Sequence, residues 1–314
     1  MEIFDFYDKT NLKSYNLDES MRYQLSMLDR LDVFTRRHSE SVADLTCRIC
    51  EYLHCNKAFT EYTTICAYLH DIGKLFVPPE VLQKPGKLTD EEYEIIKAHT
   101  TNGYNMCMKD PKLRPYAAGP YYHHEALNGT GYPQGLTKKN IPYEGQIIRV
   151  ADEYDAIVSK RQYKSHIDIS DTLKILIENT KASELQKSNA LGEISLNVRL
   201  GKNNPKIVKA LFKVVIDNIE YEIYCTNNYI NDLKAEIKRC SEIEKYIEKM
   251  NLAKNDEYKA YYLETINFLL KPNEKLELFK TLKQEYIYAC ETRKTIIDNL
   301  YLEIKKIKKL RHTF

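Results

Sequence analysis

From residue 30 onward, apolar side chains recur every three or four positions, and that period predicts helices along most of the chain. Between residues 30 and 53 the recurring set is Val42, Leu45, Ile49 and Leu53, with His38 near the start. Residues 60–75 predict a second helix that ends in Tyr68-Leu69-His70-Asp71-Ile72-Gly73-Lys74; Gly73 is able to stop it, and Pro78-Pro79 forbid its continuation. Lys84-Pro85-Gly86-Lys87 is a loop. Thr89 then opens a helix, Glu92 completes its capping box, and His99 is expected about two and a half turns in. The stretch Asn128-Gly129-Thr130-Gly131-Tyr132-Pro133-Gln134-Gly135 cannot be helical, since it holds three Gly and one Pro. Ile147 to Ala156 is again a compact helix and carries Asp152.

Beyond residue 168 the pattern loosens. Residues 171–178 and 205–219 read as helices, separated by a polar, irregular insertion at 182–203. Residues 218–224 alternate enough to suggest a short strand. Further on, Ile230, Leu233, Ile237, Cys240, Ile243, Ile247 and Met250 step by three and four. Leu282, Tyr286, Ala289, Ile296, Leu300, Ile304 and Ile307 largely do the same, and Pro272-Asn273 separates the two runs. The expectation for 219–314 is a helical hairpin or coiled coil. Such helices either pack on one another in solvent or pair two chains into a homodimer.

Composition narrows the class. The 314 residues are enough for one large domain or two smaller ones, and 43% hydrophobic content supplies a core. A net charge of +2 argues against bulk electrostatic binding to DNA or RNA. The N-terminus lacks a basic lead and apolar core, and no apolar run approaches the roughly 18 residues of a membrane span. The expectation is therefore a cytoplasmic protein with no membrane contact. Eight Cys are scattered; Cys47 and Cys50 have CxxC spacing, but with no second such pair they read as structural thiols on a helix.

The chemistry centres on His70-Asp71. Adjacent imidazole and carboxylate offer two metal ligands from one segment, and the carboxylate is able to bridge two ions. His38, His99, the pair His123-His124 and Asp152 supply further donors, and the pattern above places all of them on helices. Nitrogen and oxygen donors without thiolate suit Fe, Mn or a similar first-row ion. His54, His166 and His312 lack such neighbours and read as structural or solvent-exposed.

Five ordered segments carry a resemblance. Thr35-Arg36-Arg37-His38-Ser39, His70-Asp71-Ile72-Gly73-Lys74, His99, His123-His124-Glu125-Ala126-Leu127-Asn128-Gly129-Thr130-Gly131-Tyr132-Pro133 and Val150-Ala151-Asp152-Glu153-Tyr154-Asp155-Ala156 resemble the HD superfamily of metal-dependent phosphohydrolases, specifically its HD-GYP branch. The resemblance covers roughly residues 30–215. It implies a mainly α fold: an HD-type helical bundle, with the amphipathic helices appended at the C-terminus. The division that follows is a lead-in at 1–29, the HD-GYP-like domain at 30–218 and the helical region at 219–314.

The resemblance also implies a phosphodiesterase acting on a cyclic dinucleotide, most often cyclic di-GMP, giving the linear dinucleotide pGpG and, on further cleavage, GMP. It places one ion on His38, His70, Asp71 and Asp152, with Asp71 bridging to a second on His99, His123 and His124. Some members add a Glu four residues before the first His and hold three ions; Phe34 stands there in this chain, so two divalent ions are expected. Two ions bind phosphate oxygens and activate a water for attack. Asp71 and Lys74 are thus the catalytic candidates, Lys74 by reaching the phosphate or protonating the leaving oxygen; a plain salt-bridge Lys is the alternative. Arg161 and Lys164 match family positions expected to meet substrate phosphates, and a solvated basic face is the other reading. Tyr132, in a loop freed by Gly129 and Gly131 and stiffened by Pro133, is placed against a guanine or a neighbouring helix. One departure stands out: Asn128 replaces the family's usual Asp. If that Asp only caps the loop, activity survives; if it orients a metal ligand, affinity or rate falls. Two other functions compete: the same chemistry on cyclic GMP-AMP or another nucleotide, and a non-catalytic cyclic-dinucleotide receptor.

Overall fold

The structure, a computed structural model, describes residues 31–159, 169–182, 200–272, 274–275 and 279–314. These residues are mainly helical; the pairing of Asn128 with Thr137 is a single antiparallel bridge. The chain forms two compact units, one ending at Asp217 and taking in Lys306–Phe314, the other spanning Asn218–Lys305.

The first unit begins with α1, Val33–Tyr52. Its N-cap Asp32 accepts hydrogen bonds from the backbone N–H groups of Phe34 (3.0 Å) and Thr35 (3.1 Å), which satisfies two otherwise orphan donors. Val42, Ala43, Leu45 and Ile49 line its buried face, which packs on α2 (Lys57–Leu69) and α7 (Tyr143–Ser159). His54 ends α1 with a φ of 56°, while the N–H of Cys55 reaches back to the Cys50 carbonyl at 3.0 Å. This 6→1 bond with a left-handed residue is a Schellman stop, and it turns the chain directly into α2. Cys47 and Cys50 are both fully buried, and burial pushes the Cys50 thiol up, as suits packing rather than reactivity.

Two sequence expectations change here. The second helix stops at Leu69, before His70-Asp71, and passes into a 3₁₀ turn over Ile72–Phe76. Gly73 does not end a helix; it lets this turn press against the next one, since a Cβ there would lie 1.9 Å from the His99 carbonyl oxygen. His99 likewise is not deep in the helix opened by Thr89. The capping box at Thr89 and Glu92 is present, but that helix, α4 (Asp90–Lys97), ends first, and His99 starts α5 (His99–Lys109). Short α3 (Pro79–Leu82) precedes them, and α6 (Ala118–Tyr122), α7 and α8 (Ile169–Glu178) follow.

The long helix α9 runs Pro205–Leu252. Ile207, Val208, Leu211, Phe212, Val214 and Val215 are buried in its first turns. The short strand expected at 218–224 is absent: those residues are helical. Ile216, Ile219, Ile223 and Ile230 are buried at helical spacing, so the three-to-four period outweighs the local alternation. The irregular insertion expected at 182–203 lies largely outside the described residues, as do residues 1–29.

In the second unit, α9 continues, followed by α10 (Asp256–Leu269) and α11 (Phe279–Thr313, whose last residues belong to the first unit). Cys240, Ile243, Ile266 and Phe279 form its core, with Tyr246, Ile247, Met250, Leu269 and Tyr286 packed around them. Arg239 holds Glu236 at 2.8 Å and Glu274 at 2.7 Å across the end of this core. Besides the break near Pro272, a second one precedes α10, where the Asn255 side chain caps the Glu257 N–H.

Candidate metal centre

The end of α2, the start of α5, the end of α6, the first turns of α1 and the middle of α7 deliver seven side chains to one place. His38 and Asp152 come from helices, and His99 opens one. His70-Asp71 and His123-His124 instead follow their helices, in the turns after Leu69 and Tyr122. The expectation that all ligands sit on helices is corrected accordingly. A residue just past a helix end is free of the 3.6-residue repeat, so neighbours in sequence are able to face the same point.

The donor atoms fall into sets lying within 4.8 Å of one another: His38, His70 and Asp152; His99, His123 and His124; and His70, Asp71 and His123. Asp71 connects them. Its Oδ2 faces His70 Nε2 at 3.3 Å and His38 Nε2 at 3.7 Å, while its Oδ1 faces His99 Nε2 at 3.5 Å. Asp152 lies 3.0 Å from His38 Nε2 through Oδ1 and 3.9 Å from His124 Nδ1 through Oδ2.

Protonation follows from the hydrogen bonds. Nδ1 of His70, His99 and His123 each meets a backbone carbonyl, of Ala67 (2.6 Å), Ile96 (2.6 Å) and Gly119 (3.0 Å). Carbonyls only accept, so each Nδ1 carries the proton and each Nε2 presents a lone pair. His99 Nε2 and His123 Nε2 then face each other at 3.1 Å with no proton between them, and buried His70 Nε2 has no hydrogen-bond partner. Burial lowers the His99 and His123 imidazoles and pushes His124 down to about 3, so all three are neutral near pH 7. Converging lone pairs beside two carboxylates are a repulsive, desolvated arrangement that a cation satisfies. The residues fit divalent metal binding on that ground.

Burial alone would raise Asp71, but Lys74 and His70 beside it hold its carboxyl well below the usual range. Lys74 Nζ lies 2.5 Å from Asp71 Oδ2; burial favours its neutral form, yet Asp71 outweighs this and keeps the ammonium charged. Burial also lowers His38, but hydrogen bonds to Asp152 and Asp155 prevail and push it up to about 10.

The glycine-rich loop folds over this cluster. Gly129 adopts a φ of 82°, as a residue without Cβ allows. Gly131 serves close approach instead: a Cβ there would come within 2.4 Å of the His124 carbonyl oxygen. Tyr132 stacks on the His124 ring at 4.6 Å between centroids. Asn128 Oδ1 accepts from the Thr130 N–H (3.2 Å) and hydroxyl (2.7 Å), a local cap. Phe34, at the position where a further ligand was considered, is 68% exposed. Arg161, Lys164 and His166 lie outside the described residues. His54 and His312 are exposed.

Three residues were not singled out from sequence. Buried Glu125 accepts the N–H groups of Gln134 and Leu136, each at 2.7 Å, and so ties the loop beneath His124. Asp155 meets His38 Nδ1 at 2.7 Å. Its position three residues after Asp152 places both carboxylates on one helix face, a readable signal. Arg149 adds a bond to the His124 carbonyl (3.2 Å) and one to Asn203 (2.9 Å).

Residues 24–185 match a family model described as HD domain. Three relatives illustrate the likeness. A protein of Thermotoga maritima named cyclic di-GMP phosphodiesterase is 44% identical over 144 residues, covering 45% of this chain and 39% of the relative. A cyclic di-GMP phosphodiesterase of Pseudomonas aeruginosa is 34% identical, covering 49% and 37%. A 3′3′-cGAMP-specific phosphodiesterase of Vibrio cholerae is 31% identical, covering 51% and 37%. The chain thus spans about two fifths of the length of these relatives.

Proposed function

The chain belongs to the HD domain family, and on that premise we propose that it is an HD-GYP-type phosphodiesterase that hydrolyses cyclic di-GMP to pGpG, and onward to GMP. The observation that carries the proposal is the placement of Asp71, whose two oxygens face different halves of the imidazole cluster. Were each half to hold an ion, Asp71 would serve both. In this reading His38, His70, Asp71 and Asp152 would hold one ion and Asp71, His99, His123 and His124 the other; Fe and Mn suit these donors. Such ions, when bound, would supply charge for the phosphate oxygens and lower the pKa of a water.

The protein's own groups do the rest. Backbone carbonyls of Ala67, Ile96 and Gly119 fix three imidazoles with Nε2 inward. Water adds to phosphorus, the P–O3′ bond breaks, and the departing oxygen needs a proton. Lys74, held as ammonium beside Asp71, offers positive charge to the phosphate and a proton to that oxygen. Glu125 and Tyr132 keep the loop against His124, so Tyr132 acts first by packing on a ligand. Arg161 and Lys164 are proposed to meet the substrate phosphates. Asn128 caps its own loop and touches no proposed ligand, which supports an active enzyme despite the missing carboxylate. Among the described residues no helix is long and apolar enough to cross a membrane. Pairing of two chains through the C-terminal helices is part of the proposal.

A direct test follows cyclic di-GMP and cyclic GMP-AMP by chromatography with the Mn-loaded protein. The reading predicts pGpG from cyclic di-GMP. Preferential turnover of cyclic GMP-AMP, as the Vibrio cholerae relative's name describes for that protein, would move the substrate but keep the chemistry. Tight binding without product, despite two bound ions, would instead make the chain a receptor.

A further inference from the structure

We infer that Asp155 is a positioning residue that sets the tautomer and orientation of His38, and that one of the two proposed metal positions therefore depends on a side chain where the other rests on backbone. The inference builds on the metal reading above.

Four imidazoles have a described partner for Nδ1. For His70, His99 and His123 that partner is a backbone carbonyl. For His38 it is the Asp155 carboxylate, at 2.7 Å. The difference is physical as well as formal. A backbone carbonyl survives any substitution of its own side chain, whereas the Asp155 carboxylate can be removed alone. A carboxylate also accepts the Nδ1 proton more strongly than a neutral carbonyl does, which makes the opposite nitrogen a better electron-pair donor. That opposite nitrogen, His38 Nε2, faces Asp152 at 3.0 Å and Asp71 at 3.7 Å.

Asp155 is itself held. It is only 6% exposed, and the Ser41 hydroxyl donates to its Oδ1 while Oδ2 serves His38. Ser41 and His38 lie three apart on α1, and Asp152 and Asp155 three apart on α7. The packed pair of helices thus presents a Ser–Asp–His relay ending at the proposed ligand atom. At the end of this relay His38 faces Asp152, Asp71 and His70, so its loss should affect the two ions unequally.

Asp155→Asn is the informative variant. It keeps the size, but its amide is able to donate to Nδ1 and so leave the proton on Nε2, the wrong nitrogen for a ligand. The test is a Mn titration of the 314-residue apo chain, with ions counted at each free Mn concentration. The melting temperature of the apo protein is read alongside. Two sites are expected in the parent; in Asp155→Asn one of them weakens about 10- to 100-fold while the other is unchanged. Phosphodiesterase activity should fall at low Mn and return as Mn is raised, which loss of a group acting on substrate would not show. Ser41→Ala should move the same site in the same direction by less. Unchanged affinities in Asp155→Asn would overturn the inference. Equal weakening of both sites together with a lowered apo melting temperature would overturn it as well, by making Asp155 a general structural residue. A parent chain that binds no Mn would instead overturn the metal reading on which the inference rests.

Discussion

The two compact units put burial to opposite uses. In the first, His70, Asp71, His99, His123 and Glu125 are each at most 1% exposed, so its interior encloses groups that water would otherwise solvate. In the second, the core is Cys240, Ile243, Ile266 and Phe279, with its charged groups, such as Arg239 and Glu274, arranged around it. One interior is costly unless a ligand and hydrogen bonds compensate it; the other is stabilising by itself. The lesson is that the first unit's polar cluster calls for a ligand to offset its desolvation, whereas the helices of the second need none to explain them.

The sharpest way to break this comparison is to remove the group joining the two halves of the cluster. Asp71→Ala should lower turnover of cyclic di-GMP by at least about a thousand-fold, the scale of losing an essential catalytic group. Retained activity would place the chemistry elsewhere. Next in size, Lys74→Met should lower kcat by about a hundred-fold with little change in bound metal. If only thermal stability changed, Lys74 would be the plain ion-pair partner of Asp71.

The second unit offers the control. Ile243→Val removes one methylene from its fully buried core and should cost about 1 kcal/mol in denaturant unfolding, with Mn affinity unchanged. A change in metal binding would mean that the units are coupled. The smallest effect concerns pH. Glu51 has a buried oxygen without a partner, and burial pushes its carboxyl from an ordinary value near 4.5 up to about 7. A raised carboxyl favours the folded state when protonated. Its stabilising contribution is complete below about 4.5 and is lost as the pH rises to about 7. Glu51→Gln should therefore flatten the melting temperature of the apo protein between these values, and an unchanged slope would refute the assignment.

Much of this was legible in the sequence, for identifiable reasons. Helical periodicity located α1, α7 and α9, and the chemistry of five motif segments named the seven converging donors. Periodicity misplaced what depends on contacts between segments. Gly73 read as a helix stop, although its role is close approach to His99, a residue 26 positions away. The strand at 218–224 failed because a local alternation was weighed without the buried isoleucines that continue α9 in both directions. Glu125 was hidden for a different reason: its partners are the backbone N–H groups of Gln134 and Leu136, which carry no sequence signature. Asp155 was the one readable omission, since its spacing from Asp152 was in plain view.

The ion content of the purified protein is the most direct measure of the proposed centre. Metal analysis of the Mn-loaded chain should give two ions per chain, and Asp71→Ala should hold fewer, because its two oxygens face both halves of the cluster. Three ions in the parent, or two retained without Asp71, would contradict it.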